Sequence, residues 1–210
     1  YLAVSCLYLT ALDGVKYAVN CGKTPDELLK ELSKTAEEDA DYLQKEREYR
    51  CEKNVFEDYT QEERDAVFGK PPATVWENVK IMKENPDKVA VLTQGDGISD
   101  AIVDSFVAGI VYRWENELID RLIPDTEAAV KRYKKLIHED ELDEERWDSI
   151  SAKRIELIKD GRHKKCICTK LKEALKRKDY DMASNLQQEM VRKTEALGEE
   201  YRIYALNIID

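Results

Sequence analysis

The sequence predicts an all-α protein, a multi-helix bundle that ends in a helical hairpin. Eight glycines and five prolines among 210 residues make little provision for the tight turns of a many-stranded sheet. A helix-start signal recurs three times, a threonine followed three residues later by glutamate: Thr24 and Glu27, Thr60 and Glu63, Thr74 and Glu77. Between such signals, apolar residues return at steps of three and four, the period of one helix face. Hydrophobic residues make up 42% of the chain, which supports a core in one large or two small domains and excludes wholesale disorder. Charged residues at 37% exclude a multi-pass membrane protein, and a net charge of −10 excludes a histone-like nucleic-acid binder, because counterion release needs surplus cations.

Residues 1–20, YLAVSCLYLTALDGVKYAVN, read as a buried core helix. Asp13 and Lys16 oppose a membrane span, where ionised groups are costly. The lack of a basic start and of a small-residue cleavage site opposes a signal peptide. Asn20-Cys21-Gly22 closes this helix, and Thr24-Pro25-Asp26-Glu27 opens the next. Leu28, Leu29, Leu32, Ala36, Ala40 and Leu43 then form one stripe, predicting a helix that runs to about residue 53. Short helices from Thr60 and Thr74 stop at Gly69-Lys70-Pro71-Pro72 and at Asn85-Pro86. Lys88 to Thr93 is balanced between a strand without a partner and a helical turn.

From Ser99, Ile102, Val103, Phe106, Val107, Ile110, Val111 and Trp114 mark an almost wholly apolar helix. It is expected to be the central one and to be broken at Pro124. Further helices are expected near 125–138, 141–160 (closed by Gly161), 164–178 and 180–197, with an extension through YRIYALNIID. The expected domains are an N-terminal helical domain, 1–123, with a hinge near 53–74, and a C-terminal helical segment, 124–210, carrying a charged hairpin. No internal repeat of fixed period is visible.

Cys6, Cys21, Cys51, Cys166 and Cys168 are an odd, scattered set, which points to a reducing, intracellular and cytoplasmic setting rather than a disulfide scaffold. Cys166 and Cys168 with His163 fall short of the four ligands of a zinc site; they read as two reduced thiols on a helix. The charge map is asymmetric. Residues 139–148 carry seven acids against Arg146, and residues 162–178 carry eight bases against Glu173. Either the basic helix, with Ile167, Leu171, Ala174 and Leu175 inward, offers its cations to an acidic protein, RNA or anionic lipid, or it folds along the acidic helix and the charges screen one another. No aromatic residue is interleaved for base stacking, so a protein partner is favoured over nucleic acid.

Three constellations could carry chemistry. Asp96, Asp100 and Asp104 stand at four-residue spacing and could hold Mg²⁺ for a phosphate-bearing substrate. The arrangement resembles all-α nucleotide pyrophosphohydrolases, whose second half-motif matches Glu62-Glu63-Arg64-Asp65. Arg132 and His138, separated by five residues with Tyr133 after the Arg, resemble the spacing of HEPN-type ribonucleases, which implies an acid or base His and a phosphate-steadying Arg on one helix. Leu12-Asp13-Gly14-Val15 and Gly95-Asp96-Gly97-Ile98 look like fragments of haloacid-dehalogenase-type phosphatases. The nucleophile position of that family is Ala11 here, and the flanks read as helix.

The stretch from Leu171 to Met190, LKEALKRKDYDMASNLQQEM, resembles the UVR motif, a helical hairpin of nucleotide-excision-repair subunits and Clp-associated adaptors, and the similarity extends over residues 171–197. Leu171, Ala174 and Leu175 form one ridge, Asp179 caps the second helix, and Tyr180, Ala183, Leu186 and Met190 form the facing ridge. Ser184 and Gln187-Gln188 depart from the family pattern. The resemblance implies a hairpin used for protein contact. The expected function is thus a non-enzymatic adaptor or assembly subunit without a cofactor. Its expected partner-binding residues are Lys164, Lys165, Lys172, Lys176, Arg177 and Tyr180. The alternative is an all-α hydrolase of phosphate-containing substrates, either Mg²⁺-dependent or HEPN-like.

Overall fold

The computed structural model describes residues 2–95, 97–136 and 141–209. Among these residues every regular element is helical and no strand occurs, so the protein is all-α. The helices are α1 (Leu2–Asn20), α2 (Pro25–Leu32), α3 (Gln61–Val67), α4 (Val75–Glu84), α5 (Pro86–Ala90), α6 (Asp100–Glu117), α7 (Ile123–Arg132), α8 (Glu141–Ile158), α9 (Ile167–Lys176) and α10 (Tyr180–Ile209). A 3₁₀ turn at Val91–Thr93 follows α5, which places the ambiguous segment with the helices. The chain divides into two compact units, Tyr1–Pro72 with Met82–Asp100, and Ala73–Ile81 with Ala101–Asp210. This differs from the division at residue 123 that the sequence suggests. Pro124 is not a break, because Leu118–Leu122 forms a π-helical turn in which the Ile123 N–H donates to the Leu118 carbonyl. The wider turn accommodates a residue that has no N–H to donate, and α7 continues the helix with Pro124 in its first turn.

The first unit is held mainly by polar contacts. Both of its capping boxes form, Thr24 with Glu27 and Thr60 with Glu63. Gly22, at φ +69°, makes the left-handed turn that ends α1. Two expectations fail in this unit. Helix α2 stops at Leu32 rather than near residue 53, because the chain wraps around the ammonium of Lys34. That group is 2% exposed and donates to the carbonyls of Thr35 (3.1 Å), Glu38 (2.8 Å) and Arg47 (2.8 Å). Each of its three protons thereby reaches a main-chain acceptor that a helix would otherwise have used. Helix α1 is not a buried core helix. None of its described side chains is fully buried, and Leu7, Tyr8 and Val19 are at least 70% exposed. Its polar side faces inward instead. Tyr42 donates to Asp13 at 2.6 Å and stacks on Tyr17 with ring centroids 4.3 Å apart. Tyr17 in turn donates to Glu31, which also accepts from Lys23 at 2.8 Å. The hydrogen bond to Asp13 pushes the Tyr42 hydroxyl up to about 12, and the bond from Lys23 leads the causes that hold Glu31 below the usual carboxylate range. Ile98 is the only buried hydrophobic residue of this unit among the described residues.

The second unit holds the core. Along α10 the buried residues Ala183, Met190, Leu197 and Tyr204 recur every seven positions, one continuous seam on a 30-residue helix. Against it lie Leu171, Ala174 and Leu175 of α9, Ile150 and Leu157 of α8, and Trp114, Leu118, Ile123 and Val130 of the α6–α7 run. Helix α6 is not the central helix: of its residues only Trp114 and Glu115 are buried, while Ile102, Phe106 and Tyr112 are exposed. Three tyrosines fasten the segment after α7. The Tyr201 hydroxyl donates to the Lys134 carbonyl (3.2 Å) and the Tyr204 hydroxyl accepts from the Leu136 N–H (3.1 Å). Tyr133 packs against Tyr201 at 4.5 Å and its hydroxyl lies close over Gly198, where a Cβ would stand 3.1 Å away and would press the tyrosine aside by a few tenths of an ångström.

Replacing Lys34 by Met leaves three inward-facing carbonyls without their donor, and the first unit is expected to lose about 2–4 kcal/mol. Hydrogen exchange checks this, with lost protection at the Tyr49 amide, which bonds to the Lys34 carbonyl. Leu197→Ala opens the α10 seam and is expected to lower the urea midpoint of the second unit by the equivalent of about 3 kcal/mol.

Candidate functional site: the C-terminal hairpin

Helices α9 and α10 form an antiparallel hairpin, and its turn is built by residues 177–179. Lys178 adopts a left-handed conformation at φ +58°, and Asp179 caps α10 by accepting from the Met182 N–H at 3.2 Å. The ridges are those the sequence implied, with Leu171, Ala174, Leu175, Ala183 and Met190 buried and Tyr180 and Leu186 half-buried. The small Ala183 permits close approach of the helices.

A dense cluster surrounds the turn. The carboxylate of Glu115, only 9% exposed, accepts from Lys178 at 2.7 and 2.8 Å. Burial works against its ionisation, but the hydrogen bonds from Lys178 and Tyr180 outweigh it and hold this carboxyl below the usual range. Tyr180 sits beside both Trp76, at 4.8 Å between centroids, and Trp114, at 6.1 Å. Trp114 donates to Gln187 at 2.8 Å, and Asp181 accepts from Trp76 (3.1 Å) and Lys80 (3.2 Å). Those two donors lower the Asp181 carboxyl. Residues 73–81 lie along α10 through polar contacts. The Thr74 and Ser184 hydroxyls are 2.6 Å apart, both buried, and Gln188 donates to Glu77 at 2.7 Å. The third capping box is modified: Thr74 still accepts from the Glu77 N–H, but the Glu77 carboxylate accepts from the Ala73 N–H.

At the other end of α9, Cys166 is the helix N-cap, its sulfur accepting from the Thr169 N–H at 3.4 Å. Its own N–H donates to Asp160 at 2.8 Å, the first cause of the lowered Asp160 carboxyl. Cys168 faces the core against the Met190 sulfur at 3.8 Å, and burial pushes its thiol up to about 12. Among the described residues no group of three or more His, Cys, Asp or Glu side chains is placed to hold a metal ion.

The expected basic contact surface is therefore altered. Lys164 pairs with Glu156, Lys165 with Glu173, Lys172 with Glu127 and Lys178 with Glu115. These acids lie outside 139–148, but Glu156 stands farther along the same acidic helix α8, Glu173 on α9 itself, Glu127 on α7 and Glu115 on α6, so the basic segment is partly screened from several sides. Tyr180 is half-buried in the turn, packed beside Trp76 and Trp114. Lys176 and Arg177 remain exposed, with no acid paired to them among the described residues, and Arg177 reaches the sulfur of Met182 at 3.7 Å. Asp100 and Asp104 are exposed on α6, one turn apart, and Asp96 lies outside the described residues. Arg132 ends α7, where Tyr133 turns extended at ψ 116°. His138 lies outside the described residues. Glu115 escaped the sequence reading, which took Trp114 only as a marker of an apolar helix and Gln187 only as a departure from the UVR pattern. The available signal was a single acid next to a tryptophan at the end of an apolar run, but its partner Lys178 is identified only by the turn.

Lys178→Met leaves the Glu115 carboxylate buried with a donor removed, and the turn is expected to lose about 1–3 kcal/mol. The pH dependence follows from the sign of the shift. Glu115 titrates lower in the folded chain than its unfolded value of about 4.3, so its contribution is intact above that value and is lost as pH falls through the folded one. Tryptophan emission in an acid titration is expected to change at higher pH in Lys178→Met than in the natural chain. Cys168 is expected to resist iodoacetamide at mild alkaline pH until guanidinium is added, as mass spectrometry of the labelled peptides would record.

Comparison of the chain with protein-family models, with curated proteins and with solved structures returns no match.

Proposed function

We propose that the protein is a non-enzymatic helical adaptor or assembly subunit that binds a protein partner through the α9–α10 hairpin. The observation that carries this reading is the tip of the hairpin. A rigid turn, anchored by Glu115 and by the tryptophans around Tyr180, presents Lys176 and Arg177 to solvent beside Met182, which is 44% exposed. A cationic pair next to a flexible apolar side chain suits an acidic protein segment that also carries an apolar residue. The resemblance of residues 171–197 to the UVR motif supports the same use, since that motif serves as a protein-contact hairpin. Single-stranded nucleic acid is a poorer fit, because Tyr180, Trp76 and Trp114 are packed together and offer no open stacking face. Of the carboxylates considered for Mg²⁺, Asp100 and Asp104 stand exposed on α6, and no metal-ligating group of three or more side chains occurs among the described residues.

The test uses the full chain as bait, in its natural form and with Lys176→Glu and Arg177→Glu. The natural form is expected to retain a protein that high salt releases, and the charge-reversed form to lose it while melting within about 2 °C of the natural chain. Equal retention by both forms refutes the hairpin tip as the contact. A rise in melting temperature with Mg²⁺ and a nucleotide, together with nucleotide hydrolysis, would instead support an enzyme.

A further inference from the structure

The clearest feature left unused by the hairpin is the outer face of α1. Val4, Leu7, Tyr8, Leu12, Val15 and Val19 are between 47% and 76% exposed. Val4, Tyr8, Leu12, Val15 and Val19 follow one another at steps of four, four, three and four, the spacing of a helix-pairing seam. The half-buried residues of α1, Cys6, Leu9, Asp13, Gly14 and Tyr17, point the other way. The polar ties of Asp13 and Tyr17 fix the rotation of the helix so that its apolar stripe faces outward. A water-facing helix normally has the opposite polarity.

Charge and area decide what covers this stripe. The chain carries a net charge of −10, so most contacts between two copies meet like-charge repulsion. The outer face of α1 is the exception, since it carries no acid and Lys16 is its one charged residue, and an apolar stripe matches an identical stripe related by a two-fold axis. Its six large side chains expose on the order of 700 Å² per copy, comparable with the roughly 800 Å² per partner of a standard stable interface. The geometry points to a second copy of this chain as the occupant: the protein forms a homodimer in which the outer stripes of the two α1 helices pack together.

The experiment is sedimentation equilibrium on the full chain at about 100 µM, a concentration that detects even a weak dimer. The natural chain is expected at twice its 24.3 kDa mass. The double variant Tyr8→Glu with Leu12→Glu is expected at the monomer mass with its helical circular dichroism unchanged. Should that variant lose helicity, the single change Val19→Lys near the end of α1 serves instead, with an expected weakening of at least about tenfold. Ile155→Glu, on exposed α8 surface, is expected to remain dimeric. A natural chain that sediments as a monomer overturns the proposal, whether or not it pellets with neutral phosphatidylcholine vesicles. A dimer that persists in both the double variant and Val19→Lys overturns it equally.

Discussion

The seven-residue seam of α10 is the constraint on which the second unit depends. Ala183, Met190, Leu197 and Tyr204 stand on one line of a single long helix, and each meets a different partner along its length. Near the first end the seam packs α9 into the hairpin, with Cys168 against Met190. Near the other, Trp147 of α8 meets the Tyr204 ring at 5.9 Å between centroids, and the tyrosine hydroxyl fastens the chain after α7. One rigid helix thereby sets the positions of α8, α9 and the segment that follows α7. The hairpin turn and its surrounding cluster are placed by the same element, because Asp181, Ser184, Gln187 and Gln188 all project from the first two and a half turns of α10.

The first unit follows a different principle. With a single buried hydrophobic residue among those described, it takes its shape from charged and phenolic groups: Lys34 inside a ring of carbonyls, Glu31 between Tyr17 and Lys23, Asp13 under Tyr42. Such contacts are directional, and they fix loop geometry and helix rotation where apolar packing is sparse. Their consequence is the outward-facing stripe of α1. Burial and polar satisfaction pull this helix in opposite directions, and within one chain the polar contacts decide.

The same division explains which elements were legible from sequence. Thr24 with Glu27 and Thr60 with Glu63 bond only to their own first turns, so pattern alone locates these helix starts. The hairpin is equally local, since its ridges and the Asp179 cap lie within twenty residues of one another. The stripe Ala36, Ala40 and Leu43 is periodic but not helical, because a long-range contact from Lys34 to Arg47 competes for the backbone. Arg132 and His138 share a helical spacing in the sequence, yet the helix ends at Arg132, where the chain passes under Tyr201. Glu115 lies 63 residues from Lys178, a separation over which no periodicity carries information.

The sequence by itself determined that the backbone is helical and where most helices begin, because caps, proline positions and three-to-four-residue spacing act within a turn or two of the residues that carry them. Only the tertiary structure decided which apolar stripe became the core. The stripe of α10 is matched by facing ridges and buried, whereas those of α1 and the first half of α6 are also apolar and keep large side chains exposed in the single chain. Burial requires a complementary surface at the right place, and that is a property of two or more elements together rather than of either one.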